Sequence, residues 1–425
     1  MVASSLVQDD EDYLLQSSDE EDVDEPSVIL RPSKQRRQGV FPSLPAPHVY
    51  QDTYQSYSKQ WKEHLSQKES HVEITDLESV ELDGVGHLVA ATSSGHLAVW
   101  TTTSSAGEPK QKVLLPKLQV STRPLTSIEI LQSSGGKSCT VVFAGEEGMG
   151  LIGFEDLLAG KSSDDNITMF EQVTGIAKTK LLSNDSVIAL QTNGSLLQCN
   201  LELQKSVANI KPLGSSAKGR RSESSRLSMD AMASSSSSPS NHPLVFVGDV
   251  SSPIVSIWDV NQSKQVDSIS LLPKGGSSTS PTKKKKPTFI FGSSAPKEVL
   301  PTEVSAISVT DPWWTIAGIK EDGSGMLSTF HGPTRTLVSS VDTRETISGI
   351  LCSTKSTELV TIGNEGVISE WTNPYSSLER SHRIWSSAPC NMAICSTTDG
   401  EFAVAGVGPH VDLISDHCKA RTLSL

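Results

Sequence analysis

Short apolar segments recur along most of the chain and are separated by turn-forming residues. Seven of them read, in order, HLVAAT, TVVFAG, SVIAL, LVFVG, WTIAG, LVTIG and FAVAG. Each segment is followed by a turn and then by a second short apolar run. Runs of this length bounded by turn residues are typical of β-strands. The pattern therefore predicts an all-β fold built from repeated hairpins, beginning near residue 72.

The second run of each hairpin follows a frame of three positions: a glycine, an aliphatic residue two positions later and a bulky residue five positions later. Four copies keep the glycine: Gly95, Leu97 and Trp100; Gly194, Leu196 and Cys199; Gly325, Leu327 and Phe330; Gly366, Ile368 and Trp371. Three copies replace it: Met149, Leu151 and Phe154; Pro253, Val255 and Trp258; Pro409, Val411 and Ile414. Glycine adopts positive φ freely, and alternate residues of a strand face one side. The frame thus predicts a tight turn and a strand whose bulky residue fills the space between stacked sheets.

The spacing of the bulky positions indicates a repeat architecture. The shortest intervals, from Phe330 to Trp371 and from Trp371 to Ile414, match the roughly 40–45 residues of a WD-repeat blade. The longer intervals contain predicted low-complexity inserts near 101–112, 215–242 and 274–299. The pattern resembles a seven-bladed WD-repeat β-propeller spanning residues 72–425. A pair of packed sandwich sheets is the alternative, but it does not predict seven equivalent frames.

The match to WD repeats departs from the usual pattern in two ways. Only Trp258-Asp259 forms a Trp-Asp pair, and the Gly-His dipeptide that opens a typical repeat is missing. The sequence therefore predicts that the buried His–Asp–Ser–Trp hydrogen-bond network of such repeats is absent.

The N-terminal segment differs in character from the repeats. Residues 1–47 combine an acidic block with a proline-rich stretch and are predicted to be disordered. Residues 48–71 place Tyr50, Tyr54, Tyr57, Trp61 and Leu65 at helical spacing, which predicts a helix packed on the main domain or, alternatively, docked on a partner. The net charge of −13 includes ten acidic residues and no basic residue within the first 25 positions. This balance argues against a general nucleic-acid binder.

Residues 148–153 (GMGLIG) satisfy the G-x-G-x-x-G pattern of dinucleotide-binding loops, and Glu171 stands where a ribose-binding acid would follow. Leu151 and Phe154 are in register with the other repeats, however, so the segment is predicted to be a strand. No phosphate loop, H-E-x-x-H or paired Cys/His zinc spacing occurs, and the six cysteines form no C-x-x-C pair. The sequence predicts reduced thiols and no catalytic residue, cofactor, metal site or small-molecule substrate. It also predicts no signal peptide and no membrane segment.

Two polar features point to regulation and location. The run Lys283, Lys284, Lys285 and Lys286 lies between two prolines in a predicted loop and is a candidate nuclear-import signal, with a solvated loop as the alternative. Basic loops attract phosphate, so weak or indirect RNA contact is also possible. Ser17 and Ser18 each precede an acid by three positions, which makes them candidate phosphorylation sites.

The C-terminal third resembles the THO complex subunit 6 family. The resemblance rests on TEVSAISVTDPWWTIAGI, ELVTIGNEGVISEW and PHVDLISDHCKARTLSL, and on an N-terminal helix leading into GHLVAATSSGHLAVW. It implies a nuclear, non-catalytic scaffold of a THO/TREX-like complex, which docks on coiled-coil subunits and couples transcription and mRNA processing to export. The alternatives are a propeller nucleoporin or general scaffold, and a substrate receptor of a cullin–RING ubiquitin ligase. Such receptors often carry Trp-Asp-x-Arg, whereas Trp258-Asp259 is followed by Val260 and Asn261.

Overall fold

A computed structural model describes the following residues of the chain: 72–103, 111–133, 138–161, 166–210, 228–232, 242–248, 252–272, 299–352, 359–372 and 374–425. Several sequence-based predictions fall outside these ranges. They are the acidic tail (1–47), the lead-in helix (48–71), Ser17, Ser18, the lysine run 283–286 and all but the last residue of the insert at 274–299.

The described residues form seven antiparallel sheets, one per blade, and the all-β seven-bladed propeller predicted from the sequence is confirmed. The strands of each sheet pair in the order in which they occur along the chain. Blade 1 contains β1 (Ile74–Leu82), β2 (Val85–Thr92), β3 (His96–Thr103), β4 (Gln111–Leu114) and the short β5 (Leu118–Gln119), which also pairs with β3. Blade 2 contains β6 (Leu125–Gln132), β7 (Cys139–Gly145), β8 (Met149–Gly153) and β9 (Ile167–Met169), with helix α1 (Phe154–Leu158) between the last two. Blade 3 contains β10 (Ile176–Ser183), β11 (Ser186–Gln191), β12 (Leu196–Asn200) and β13 (Lys205–Ile210).

The remaining four blades have four strands each. Blade 4 contains β14 (Met229–Met232), β15 (Leu244–Gly248), β16 (Ile254–Asp259) and β17 (Lys264–Ser270). Blade 5 contains β18 (Pro301–Thr310), β19 (Trp313–Lys320), β20 (Gly325–His331) and β21 (Thr336–Thr343). Blade 6 contains β22 (Ile347–Cys352), β23 (Leu359–Gly363), β24 (Val367–Thr372) and β25 (Glu379–Trp385). Blade 7 contains β26 (Asn391–Ser396), β27 (Phe402–Gly406), β28 (His410–Ser415) and β29 (Cys418–Ser424).

Burial explains why the apolar segments do not alternate with polar residues. Every residue of β15 and of β23 is buried, because a blade in the ring is covered by a neighbouring sheet on each face. The outermost strands β13, β17 and β29 are instead largely exposed. Burial is therefore complete in these second strands, lower in innermost strands such as β14 and β22, and lowest at the outer edge.

The bulky frame residues lie at or next to the ends of the third strands. Six of them are buried: Trp100, Phe154, Cys199, Phe330, Trp371 and Ile414. Trp258 is only partly buried, and Phe154 begins α1 rather than ending a strand. In blades 3 to 7 the outermost strand shifts register beside the frame residue. These bulges bend the exposed edge strands, which discourages pairing with other chains.

Glycine is required at the frame positions for two different physical reasons. Gly95, Gly194 and Gly366 have positive φ in the hairpin turn, as the sequence predicts. Gly325 does not, because the turn of blade 5 places its left-handed glycine at Gly323. At Gly325 a Cβ atom would lie 2.3 Å from the carbonyl oxygen of Glu345, so close backbone approach excludes a side chain there.

Two of the segments predicted from composition as inserts, near 101–112 and 215–242, include strand residues. Residues 101–103 complete β3, and 111–112 begin β4, so the insert predicted at 101–112 is shorter. The segment predicted as an insert at 215–242 contains β14, the innermost strand of blade 4. Its ends Met229 and Met232 are buried, and Asp230 accepts a hydrogen bond from the Val309 backbone amide at 2.7 Å. These tertiary contacts stabilise a strand that could not be predicted from the serine-rich composition of the segment.

Candidate functional site

Polar side chains on the innermost strands connect neighbouring blades around the centre of the ring. Asp76 on β1 accepts hydrogen bonds from the Ser127 hydroxyl and the Ile128 backbone amide of β6, both at 3.0 Å. The Thr179 hydroxyl of β10 donates to the Ser127 hydroxyl oxygen at 3.0 Å. Blades 1, 2 and 3 are therefore joined by one hydrogen-bond chain at their inner edges.

The same strands carry a cluster of ionisable groups with perturbed pKa values. Lys180 lies 2.9 Å from the carboxylate of Glu129. This carboxylate raises the pKa of Lys180 well above its usual value, with smaller contributions from Glu78, Asp230 and Asp76. Burial raises the pKa of Glu78 to about 8 and also raises the pKa values of Glu129 and Asp230. With a pKa of about 8, the Glu78 carboxyl holds a proton at neutral pH.

This inner cluster has the character of a structural network. Its hydroxyl groups on Ser127 and Thr179 are fully buried, and both are engaged in the hydrogen bonds between blades. A nucleophile must reach a substrate atom as well as a base. The geometry therefore supports a role in holding the inner strands in place.

Two fragments of the WD-repeat hydrogen-bond network are present, which corrects the expectation that it would be absent. The Trp371 indole N–H of blade 6 donates to the Thr361 hydroxyl at 2.9 Å. In blade 4, His242 Nδ1 lies 2.9 Å from the buried Asp259 carboxylate. Trp258 lies beside this pair, but its indole N–H has no hydrogen-bond partner among the described residues. Tertiary packing thus assembles parts of the network without the Gly-His dipeptide.

A second cluster lies at the outer part of blades 6 and 7. Glu370 on β24 is buried and pairs in register with His382 on β25. His382 Nδ1 is 3.2 Å from Glu370 Oε2, and His417 Nδ1 hydrogen-bonds the same oxygen. The two imidazole rings stack with centroids 4.0 Å apart. Two nitrogen donors and a carboxylate therefore converge from two blades.

Next to this cluster, blade 6 presents arginine and tryptophan side chains. Arg380 contacts the buried carboxylate of Glu345 at 2.6 Å and lies over the ring of Trp371, 4.9 Å from its centroid. Arg383 lies over Trp385 at 4.9 Å, and Trp385 is exposed. Arginine and tryptophan are the residue types enriched at the energetic centres of protein interfaces.

Exposed apolar side chains mark the outer edge of blades 1 to 6. The outermost strands of blades 1 to 6 each expose one such residue, between 41% and 54% accessible: Val113, Met169, Val207, Val266, Leu337 and Trp385. The sequence contains these positions as isolated apolar residues in polar strands, but only the fold places all of them on one circumference.

None of the six cysteines forms a disulfide in the structure. Burial raises the pKa of Cys139 to about 11 and that of Cys199 to about 12, which makes these thiols unreactive. None of the helical segments in the described ranges has the length and hydrophobicity of a membrane-spanning helix.

Comparison with known proteins establishes the fold. The chain superposes on the WD40 β-propeller domain of Doa1 with a TM-score of 0.54 and 12% sequence identity, over 82% of this chain and 95% of that one. It superposes on a chain of the mitotic checkpoint complex with a TM-score of 0.52 and 12% identity, over 83% and 89%. No family model and no curated protein matches the sequence. The architecture is a WD40 β-propeller.

Proposed function

We propose that the chain is a non-catalytic scaffold that binds protein partners at the outer circumference of its propeller. The observation that carries this proposal is the exposed apolar side chain on the outermost strand of each of the first six blades. Rigid propellers present such surfaces at fixed positions, while the chemistry of each site is set by its local residues. At the inner edge, the buried hydroxyls of Ser127 and Thr179 connect blades 1 to 3 by hydrogen bonds, which suits a rigid frame.

The resemblance of the C-terminal blades to the THO complex subunit 6 family narrows the proposal. On that basis the partners are coiled-coil subunits of a nuclear THO/TREX-like complex that links transcription and mRNA processing to export. RNA contact in this proposal is indirect or weak, and no small-molecule substrate is involved.

Affinity purification of the full-length protein followed by mass spectrometry tests this function. We expect THO subunits to be enriched over a sample from cells that express an unrelated WD40 propeller. Recovery of ubiquitin-ligase adaptors or pore proteins without THO subunits would overturn the THO assignment. Recovery of no stoichiometric protein partner would overturn the scaffold proposal itself.

Nuclear location is proposed to depend on the lysine run 283–286. Replacing all four lysines with alanine should move the full-length protein toward the cytoplasm, as measured by fluorescence microscopy. Replacing the basic residues Lys34, Arg36 and Arg37 of the N-terminal segment with alanine is the matched control. An unchanged distribution in the lysine variant would reject the run as the import signal.

A further inference from the structure

We propose that Glu370, His382 and His417 bind a transition-metal ion, Zn²⁺ by the chemistry of the donors. The possible donor atoms of these three residues all lie within 4.8 Å of one another. Bonds of about 2.0–2.2 Å to Zn²⁺ place tetrahedral ligand atoms about 3.4 Å apart. The donors are therefore already close to coordinating separation.

The donor set selects the class of ion. Imidazole nitrogen suits zinc and its neighbours in the first transition series, whereas Mg²⁺ and Ca²⁺ prefer oxygen ligands. Two histidines and one glutamate form a known type of zinc ligand set, in which solvent takes the remaining position. A buried carboxylate contributes negative charge that offsets the charge of the cation.

The mobility of each donor suits its part in the site. Glu370 is buried within the sheet of blade 6, so its position is fixed by packing. The side chains of His382 and His417 are 45% and 48% exposed. Exposed imidazoles can rotate from the stacked arrangement to open the angle between their nitrogens around an ion.

Backbone geometry explains how His417 reaches the other blade. His417 occupies the turn between β28 and β29 with φ of 63°. Gln204, Ser263 and Arg335 have the same left-handed conformation immediately before the outermost strands of blades 3, 4 and 5. The turn is thus a repeated feature of the fold, and in blade 7 it carries a metal-binding residue toward the carboxylate of blade 6.

Such an ion would crosslink the last blade to its neighbour. The outermost strand of blade 7 ends at Ser424, and among the described strands it pairs with β28 alone. A metal held jointly by β24, β25 and the β28–β29 turn would restrain this terminal hairpin. Because the ion binds only the folded arrangement, it would also stabilise the protein.

The test uses full-length protein without a polyhistidine tag, stripped with a chelator and dialysed. Zn²⁺ is titrated in competition with a chromophoric chelator, and Co²⁺ binding is followed by its visible absorption. We expect one ion per chain, no displacement by millimolar Mg²⁺, and a rise in the melting temperature on Zn²⁺ addition.

Three variants locate the ion. His382→Ala and Glu370→Gln should each weaken Zn²⁺ binding by more than the about 10- to 100-fold typical of losing an outer-shell partner. His417→Asn removes the third ligand, and asparagine tolerates the left-handed backbone of this turn.

His242→Ala is the matched control, because His242 also contacts a buried carboxylate but has no second histidine beside it in the described residues. This variant should bind Zn²⁺ like the wild type. Absence of stoichiometric Zn²⁺ or Co²⁺ binding by the wild type would overturn the proposal. Undiminished binding in both His382→Ala and His417→Asn would overturn it as well, since the ion would then lie elsewhere.

Discussion

Blade 7 has two neighbours, and its two seams are built differently. At the closing seam, where blade 7 meets blade 1, alanines of both blades pack beside large side chains that include Trp100 of blade 1 and Leu413 of blade 7. At the internal seam, between blades 6 and 7, branched side chains dominate on both sides: Val360, Ile362, Ile368, Ile384, Val404 and Ile414. The closing seam thus combines small with large residues, whereas the internal seam joins residues of similar size.

The polar contacts of the two seams also differ. At the closing seam, the buried Lys112 ammonium contacts Asp399 at 3.0 Å, and Glu73 forms an isolated bridge with Val407. At the internal seam, Asp412 accepts hydrogen bonds from the Ser387 hydroxyl of the segment between the blades and from Thr422 of β29. Within the described residues each blade pairs its own strands, so the ring closes there by side-chain packing and polar links, without strand exchange.

The largest expected effect tests the packing of the closing seam. Trp100→Ala should lower the free energy of unfolding by about 3–5 kcal/mol, since the side chain is fully buried and its removal leaves a cavity. Trp258→Ala is the comparison, and it should cost less because Trp258 is only partly buried. Urea denaturation of both variants measures the difference. An equal or larger loss of unfolding free energy in Trp258→Ala would show that the burial of these tryptophans does not determine the cost of removing them.

Asp412→Ala tests the polar part of the internal seam. The carboxylate is buried and accepts several hydrogen bonds, so its loss leaves buried donors unsatisfied and should cost about 1–3 kcal/mol. Asp416→Asn is the control, because this residue in the next turn is exposed and asparagine tolerates its positive φ. Comparable melting temperatures for Asp412→Ala and the wild type would mean that packing alone holds the seam.

The repeated, local features of the fold could be predicted from the sequence, whereas single long-range contacts could not. The frame ending at Trp100 or Trp371 recurs in each blade, so seven third strands could be found by register. Strand β14 has four residues and no repeat signal, and its place depends on a hydrogen bond from Val309 to Asp230.

The candidate metal site was missed for the same reason. Glu370 and His417 are 47 positions apart, and only the packing of blade 7 on blade 6 brings them together. The residue types gave no zinc spacing in the sequence, because the ligands come from two strands and a turn of separate sheets.

The inner edges of blades 1 to 3 should respond to pH through Glu78 on β1, which interacts electrostatically with Lys180 and Glu129. Burial raises the pKa of Glu78 to about 8, so between its ordinary value of about 4.3 and 8 the folded protein holds a proton that the unfolded chain lacks. Stability from this group is therefore complete at low pH and is lost as the pH rises through about 8. Glu78→Gln should flatten this decline, which is on the order of 1 kcal/mol per pH unit. Denaturation at pH 6 and pH 9 measures it, and an unchanged slope would contradict the assignment.

The smallest effect on stability is expected at Trp385, on the outer strand of blade 6 beside the internal seam. This side chain is exposed and contacts Arg383, so Trp385→Ala should change the free energy of unfolding by less than about 1 kcal/mol. It should nevertheless reduce the recovery of protein partners, because tryptophan next to arginine is a typical centre of binding energy.

Val113→Ala is the matched variant, since Val113 occupies the outermost strand of blade 1 beside the closing seam and is also exposed. Quantitative affinity purification of the full-length variants compares the two surfaces. Loss of partners in Trp385→Ala but not in Val113→Ala would place the contact on blade 6. Loss of partners in Val113→Ala but not in Trp385→Ala would place the contact on blade 1. Equal losses would indicate a partner that spans both seams, because both side chains lie on the outer circumference.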